Sequence, residues 1–170
     1  VLTMPDRRVG TTCNLLHALG AEVVFTDRAS GMAGAIAEAE RLATRTPGAV
    51  ALQPFTNRAN ALSHEQTARE IWEDTDGEVA AVVCPVGTGG TASGCVSFFR
   101  QVGAPVAVIG VEPTSSSVLR GGEPGPHNLP GLGAGFVPEI LQPRDLSEII
   151  DVSEADAFAM VRALAAQEAI

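Results

Sequence analysis

The length, composition and charge of the chain exclude several classes of protein. Its 170 residues are 45% hydrophobic, which is enough to bury one ordinary core or parts of two, and no apolar run approaches the length of a membrane span. Acidic residues outnumber basic ones by 20 to 11, and the formal net charge of −9 argues against nucleic acid or an anionic membrane as a partner. All the basic residues are arginine, so the chain contains no lysine.

The first third of the chain predicts helices and short strands in alternation. A leucine-rich helix ends at Gly20, and an apolar strand follows over 21–25. Apolar residues at helical spacing then predict a second helix from Met32 to Ala43, which a Thr-Pro-Gly breaker separates from a predicted strand over 49–53.

The middle of the chain predicts a strand–helix–strand unit with a glycine-rich first turn. Ser63 and Gln66 form a capping box, which predicts that a helix begins at Ser63. The runs 79–83 and 106–111 lack polar alternation and predict strands that are covered on both faces. Between them, the apolar stripe over 95–102 predicts a helix.

The last part of the chain combines a long irregular segment with one more strand and helix. Residues 114–135 are too rich in glycine and proline for either regular element, and long ordered loops usually serve a site. A strand over 149–152 and a helix capped by Ser153 follow. Strands that alternate with helices throughout predict an α/β fold with a parallel sheet.

The sequence CPVGTGGTASG, residues 84–94, predicts a phosphate-binding loop. Glycines between a strand and a helix expose backbone N–H groups at the positive end of the helix dipole. A Walker A loop is excluded because it requires lysine. One alternative is a dinucleotide-binding module, in which Gly87, Gly89 and Ala92 match the relaxed fingerprint and Glu112 takes the position of the ribose-binding acid.

The other alternative is the single phosphate of pyridoxal phosphate, and here the whole chain carries the resemblance. GTGGT at 87–91 resembles the phosphate loop of cysteine synthases (O-acetylserine sulfhydrylases), which belong with cystathionine beta-synthase among the pyridoxal-phosphate enzymes. LLHALGAEVVFT, HEQTAREIWEDTDG and GGEPGPHNLPGLGAGF are similar to successive segments of the same family. The resemblance implies the three-layer, parallel-sheet architecture of the fold type II pyridoxal-phosphate enzymes, whose fold is that of the tryptophan synthase beta subunit.

The resemblance also implies domains and site residues. Residues 1–55 would belong to the smaller N-terminal domain and 56–170 to the larger domain that binds the cofactor phosphate. The cofactor phosphate would be bound by residues 87–91, here called the glycine loop. A second, less specific set of residues would line the substrate cleft. The two sets are Gly87, Thr88, Gly89, Gly90 and Thr91 for the phosphate, and Gln53, Gly131, Gly133, Ala134 and Gly135 for the cleft.

The reaction that the resemblance implies is the replacement of the acetyl group of O-acetylserine by sulfide, which gives cysteine and acetate. Family members attach the cofactor through a Schiff-base lysine, so this chain has no catalytic residue to assign. We therefore expect an internal piece of a longer enzyme, inactive alone, with a non-catalytic paralogue as a further alternative. Pro54 and Arg58 depart from the family pattern at the substrate side.

The resemblance and the cysteines also bear on partners and location. Family membership implies a small amino-acid substrate, a homodimer and association with serine acetyltransferase. The three cysteines are far apart and lack metal-ligand spacing, and His17, His64 and His127 have no second ligand nearby, so no metal is assigned. Cys95 lies on an apolar stripe and is expected in the core. Free cysteines predict a reducing compartment, and we expect a cytoplasmic protein.

Overall fold

A computed structural model describes residues 1–6 and 10–170 of the chain. The chain divides into two compact units, Val1–Gln53 and Pro54–Ile170. Among the described residues, no helix is both long enough and apolar enough to cross a bilayer.

The first unit is a small α/β arrangement with a two-stranded parallel sheet. Strand β1 (Leu2–Pro5) pairs with β2 (Val23–Thr26), and helix α1 (Gly10–Ala18) connects them. Helix α2 (Gly31–Arg45) packs on β1, where the Thr3 hydroxyl donates a hydrogen bond of 2.7 Å to the Ala35 carbonyl. These elements confirm the predicted alternation up to residue 45.

The predicted strand over 49–53 is wrong. The segment has no regular structure, and Val50 and Leu52 are 80% and 76% exposed. Within the described residues, the sheet of this unit consists of β1 and β2 and does not include this segment. The exposure of Val50 and Leu52 shows that the apolar run does not mark a buried strand here.

The second unit contains a parallel three-stranded sheet in the order β3–β4–β5. Strands β3 (Ala81–Pro85), β4 (Ala107–Pro113) and β5 (Glu148–Val152) confirm the positions of the last three predicted strands within a few residues. The predicted cover on both faces is wrong for β3, where Val83 is 58% exposed. The register places Pro85 beside Val111, so the carboxyl ends of β3 and β4 meet at one edge of the sheet. This is the edge from which the glycine loop starts.

Helices α3 (Arg58–Asp74) and α4 (Gly90–Val102) pack against each other and carry much of the core. Ala68 and Cys95 are 0% exposed, and the Phe99 ring packs edge-on against Trp72 at a centroid distance of 6.2 Å. Their packing fixes the direction in which α4 points away from the glycine loop.

The capping box predicted at Ser63 is wrong, because α3 begins five residues earlier. Asn57 caps the helix, and its side-chain oxygen accepts a 3.0 Å hydrogen bond from the Ala59 amide. Ser63 lies inside the helix, where its hydroxyl donates to the Asn60 carbonyl at 2.7 Å. Asn57 therefore takes the N-cap position, and Ser63 lies too far inside the helix to cap it.

The long segment between β4 and β5 is irregular, as predicted, apart from short 3-10 turns at 114–116, 118–120 and 143–145. The last helix, α5 (Glu154–Gln167), confirms the predicted Ser153 cap, since the Ser153 hydroxyl accepts a 3.1 Å hydrogen bond from the Asp156 amide.

Candidate functional site

The glycine loop turns directly from β3 into α4. The strand ends at Pro85, and Gly89 is the N-cap of α4 with a φ of +83°, a left-handed conformation that favours glycine. Thirteen residues of α4 follow, so the loop lies at the positive end of a full helix dipole. An anion is therefore the ligand that this position favours.

A cavity of about 180 Å³ lies at this turn. Its lining residues are Pro85, Val86, Gly87, Thr88, Gly89, Gly90, Thr91, Ala92 and Gly131. Within the described part of the chain, no protein group accepts a hydrogen bond from the amides of Gly87, Thr88, Gly89 or Thr91. The cavity is thus surrounded by backbone donors that remain available to a ligand.

Three of the loop glycines lie where a side chain would collide with the surrounding protein. A Cβ at Gly87 would overlap the Gly131 carbonyl oxygen, and one at Gly90 would overlap the Asn60 side chain. A Cβ at Gly89 would approach Leu141 Cβ to 2.8 Å. The glycines therefore permit close packing of the loop as well as close approach of a ligand.

Two threonine hydroxyls supplement the amides. Thr88 Oγ1 accepts a 3.0 Å hydrogen bond from Asn60 Nδ2 and a 3.4 Å bond from the Gly90 amide. Thr91 Oγ1 lies 3.5 Å from His64 Nε2, while His64 Nδ1 lies 3.2 Å from Thr67 Oγ1. Amides and hydroxyls together satisfy a phosphate without a cationic side chain.

The structure brings part of the predicted substrate-side set to the same place. Gly131 lines the cavity, and the Gly133 amide donates a 2.9 Å hydrogen bond to the Val86 carbonyl. His127 Nε2 lies 2.8 Å from the Gly133 carbonyl, and His127 Nδ1 accepts from the Leu129 amide at 3.3 Å. The Gly133 bond holds the segment 127–135, here called the second loop, against the residue that follows β3, and the two His127 bonds stabilise the second loop internally.

The other members of that set are placed differently. Ala134 and Gly135 continue the second loop and are half-buried, with a φ of +84° at Gly135, but neither lines the cavity. Gln53 belongs to the first unit, where its Nε2 donates a 2.7 Å hydrogen bond to Glu40 Oε1. A substrate role stays a prediction for all five residues of the set.

The dinucleotide alternative fails at Glu112. This side chain is only 2% exposed, and its two carboxylate oxygens accept hydrogen bonds from the Leu119 amide at 2.8 Å and the Arg120 amide at 3.1 Å. Both oxygens are therefore already used to hold the 3-10 turn at 118–120, and neither is presented to a ribose. Ala92 is 1% exposed on α4, where it packs in the core.

The structure places Cys95 in the core, as expected. Its hydrogen bond to Cys84 and its burial both raise the pKa of the Cys95 thiol, which disfavours the thiolate that a nucleophile requires. The described residues contain no group of three or more His, Cys, Asp or Glu side chains that could hold a metal ion.

Sequence reasoning missed Asn60, which contacts the glycine loop directly. Its side chain bonds to Thr88 and lies against Gly90. The available signal was the asparagine itself, since Asn has a low helix propensity and Asn60 is the third residue of α3.

Comparisons with known proteins agree with this geometry over the whole chain. The family described as pyridoxal-phosphate dependent enzyme matches residues 1–170. Cysteine synthase A of Escherichia coli K12 is 41% identical over 179 residues, which cover 99% of this chain and 55% of that protein. The probable cysteine synthase of Bacillus subtilis is 40% identical, with coverage of 100% and 56%. The chain thus spans about half the length of the curated relatives it matches.

Solved structures show the same relationship. The crystal structure of cysteine synthase from Entamoeba histolytica has a TM-score of 0.90 and 39% identity, covering 99% of this chain and 50% of that one. The O-acetylserine dependent cystathionine beta-synthase of Helicobacter pylori has a TM-score of 0.92 and 30% identity, with coverage of 99% and 55%. The predicted fold type II architecture is confirmed, and the chain belongs to the family of pyridoxal-phosphate dependent enzymes.

Proposed function

We propose that this chain forms the phosphate-binding part of a cysteine synthase-like enzyme, which converts O-acetylserine and sulfide into cysteine and acetate. The observation that carries the proposal is the cavity at the N-terminus of α4, where the amides of Gly87, Thr88, Gly89 and Thr91 have no acceptor among the residues that the structure describes. The relatives named cysteine synthase, about 40% identical over the whole chain, support the reaction.

In this proposal the residues of the loop bind and orient the cofactor. The amides and the hydroxyls of Thr88 and Thr91 donate to the phosphate oxygens, and the dipole of α4 stabilises their charge. Pyridoxal phosphate supplies an electron sink for a carbanion at the α-carbon of the amino acid. Gly131, Gly133, Ala134 and Gly135 form the substrate side, and a substrate role for Gln53 is what the family resemblance implies.

The proposal extends to organisation and location. We assign 1–55 to the smaller domain and 56–170 to the larger one, close to the boundary between the two compact units. Family resemblance supports a homodimer and a serine acetyltransferase partner. Three free cysteines support a reducing compartment, the cytoplasm. Because the chain has no lysine, we propose that these 170 residues alone do not catalyse the replacement.

The experiment titrates the complete protein with pyridoxal phosphate and with NAD, and measures thermal stabilisation together with cysteine formation from O-acetylserine and sulfide. We expect stabilisation by pyridoxal phosphate alone, because a ligand stabilises only the state that binds it. Thr88→Val should weaken cofactor binding about tenfold or more, the usual cost of a hydrogen bond to a charged group.

Thr114→Val is the matched control, since Thr114 is exposed on a 3-10 turn and does not line the cavity. Stabilisation by NAD, or equal cofactor affinity of Thr88→Val and Thr114→Val, would contradict the proposed function.

A further inference from the structure

We propose that Asn60 is a positioning residue that makes the Thr88 hydroxyl a dedicated hydrogen-bond donor to the ligand phosphate. The inference rests on the proposed function, because it concerns the same phosphate site. Asn60 itself does not line the cavity, so it acts through Thr88.

Both amide hydrogens of Asn60 have a partner. Nδ2 donates to the Pro54 carbonyl at 2.8 Å and to Thr88 Oγ1 at 3.0 Å. A carbonyl oxygen only accepts, so the contact with Pro54 requires nitrogen, not oxygen, at this position of the side chain. With the nitrogen placed there, Asn60 is the donor and Thr88 Oγ1 the acceptor in their bond.

The hydrogen bonds to Thr88 determine which hydrogen-bonding capacity of its hydroxyl remains for a ligand. A hydroxyl accepts through two lone pairs and donates one proton. Asn60 Nδ2 uses one lone pair, and the Gly90 amide approaches the other at 3.4 Å. Donation is the remaining capacity of Thr88 Oγ1, and Thr88 lines the cavity, where an anionic oxygen is the fitting acceptor.

The surroundings hold Asn60 in this orientation. Gly90 packs so closely on the amide that a Cβ there would overlap Asn60 Oδ1 and come within 2.7 Å of Cγ. Pro54 anchors the same amide from the other side. A bound phosphate therefore meets a hydroxyl that is already oriented, which reduces the ordering cost of binding.

The test measures the affinity of the complete protein for pyridoxal phosphate, for inorganic phosphate by competition, and for pyridoxal, which lacks the phosphate. The variants are Asn60→Ala, the isosteric Asn60→Asp, Thr88→Val and the double variant Asn60→Ala/Thr88→Val. Ser63→Ala is the matched control on the same helix, since within the described residues the Ser63 hydroxyl makes one hydrogen bond, to the backbone carbonyl of Asn60. Urea unfolding, followed by Trp72 fluorescence, gives the folded fraction of each variant.

We expect Asn60→Ala to weaken both phosphate-containing ligands about three- to tenfold, since a reoriented hydroxyl loses part of its hydrogen bond. Asn60→Asp should weaken them more, because a carboxylate accepts the Thr88 proton and adds negative charge near the phosphate. Pyridoxal affinity should stay unchanged in all variants.

The double variant separates an effect through Thr88 from a general structural effect. If Asn60 acts through Thr88, Asn60→Ala causes no further loss in the Thr88→Val background. Additive losses, an equal loss of pyridoxal affinity, or wild-type phosphate affinity of folded Asn60→Asp would overturn the inference. In these cases, reduced affinity of Thr88→Val for the phosphate-containing ligands is still consistent with the proposed function. Wild-type affinity of Thr88→Val for these ligands overturns both the inference and the proposed function.

Discussion

Removing the Glu112 carboxylate should destabilise the second unit, and the loss of the two hydrogen bonds that the carboxylate accepts determines by how much. The bond from the Leu119 amide is buried, so its loss leaves a donor that water does not reach, at a cost of about 1–3 kcal/mol. The Arg120 amide is only partly buried, and water can replace its partner, which reduces that cost to about 1 kcal/mol. Glu112→Ala should therefore lower the free energy of unfolding by about 3 kcal/mol.

Glu112→Gln should have a smaller effect in the same direction. The remaining carbonyl oxygen accepts from one amide, and the NH2 group faces the other donor. If the oxygen stays with Leu119, the loss is about 1 kcal/mol, because water reaches Arg120.

The assay is urea unfolding followed by the fluorescence of Trp72, the one tryptophan of the chain, which packs on Phe99 in the same unit. The slope of the free energy of unfolding against urea concentration should stay constant, while the urea concentration at the midpoint of unfolding falls. Glu123→Ala and Glu123→Gln are the controls, since Glu123 is exposed. A Glu112→Ala variant within about 0.5 kcal/mol of Glu123→Ala would refute the role of Glu112 as a structural acceptor.

Two further predictions concern the second loop and the glycine loop. The side-chain and backbone amides of Asn128 lower the pKa of Glu154, so its stabilising contact is complete above the ordinary carboxyl value of about 4.3 and weakens as the pH falls towards the lowered value. The free energy of unfolding should therefore fall more steeply with decreasing pH in the wild type than in Glu154→Gln. Equal slopes of this free energy against pH would contradict a stabilising contact. Gly89→Ala should destabilise the second unit by at least about 1–2 kcal/mol, from the left-handed φ and the approach to Leu141, and should weaken pyridoxal phosphate binding. The same change at Gly103, which has a φ of +67° but open space around it, is the control for backbone strain, and equal cofactor affinity of the two variants would contradict the prediction.

The sequence predicted the fold best where a local signal and the tertiary structure agree. The glycine loop is an example, because an apolar strand, a run of glycines and an apolar helix stripe all require the same turn. The strand predicted over 49–53 lacked this agreement. Its apolar residues met the local criterion, but whether a neighbouring strand lies beside them depends on residues far away in sequence.

The candidate site shows the same limit at the level of single side chains. Glu112 was placed correctly at the end of β4, yet its availability to a ligand depended on the turn at 118–120 folding back onto it. Asn60 was not predicted as a site residue, because its contact with Thr88 joins the start of α3 to the loop that precedes α4, 28 residues later in the sequence. Hydrogen-bond partners of this kind are decided by packing, which no local pattern encodes.

The close approach of Gly87 to the Gly131 carbonyl has a practical consequence for engineering the cavity. Two backbone segments approach each other there without an intervening side chain, so position 87 does not tolerate a Cβ, whereas a Cβ at Gly131 would meet open space and position 131 is restricted by its φ of +85°. A mutant library that diversifies the segment around Gly131 should therefore keep position 87 as glycine and vary the side chains that flank this contact.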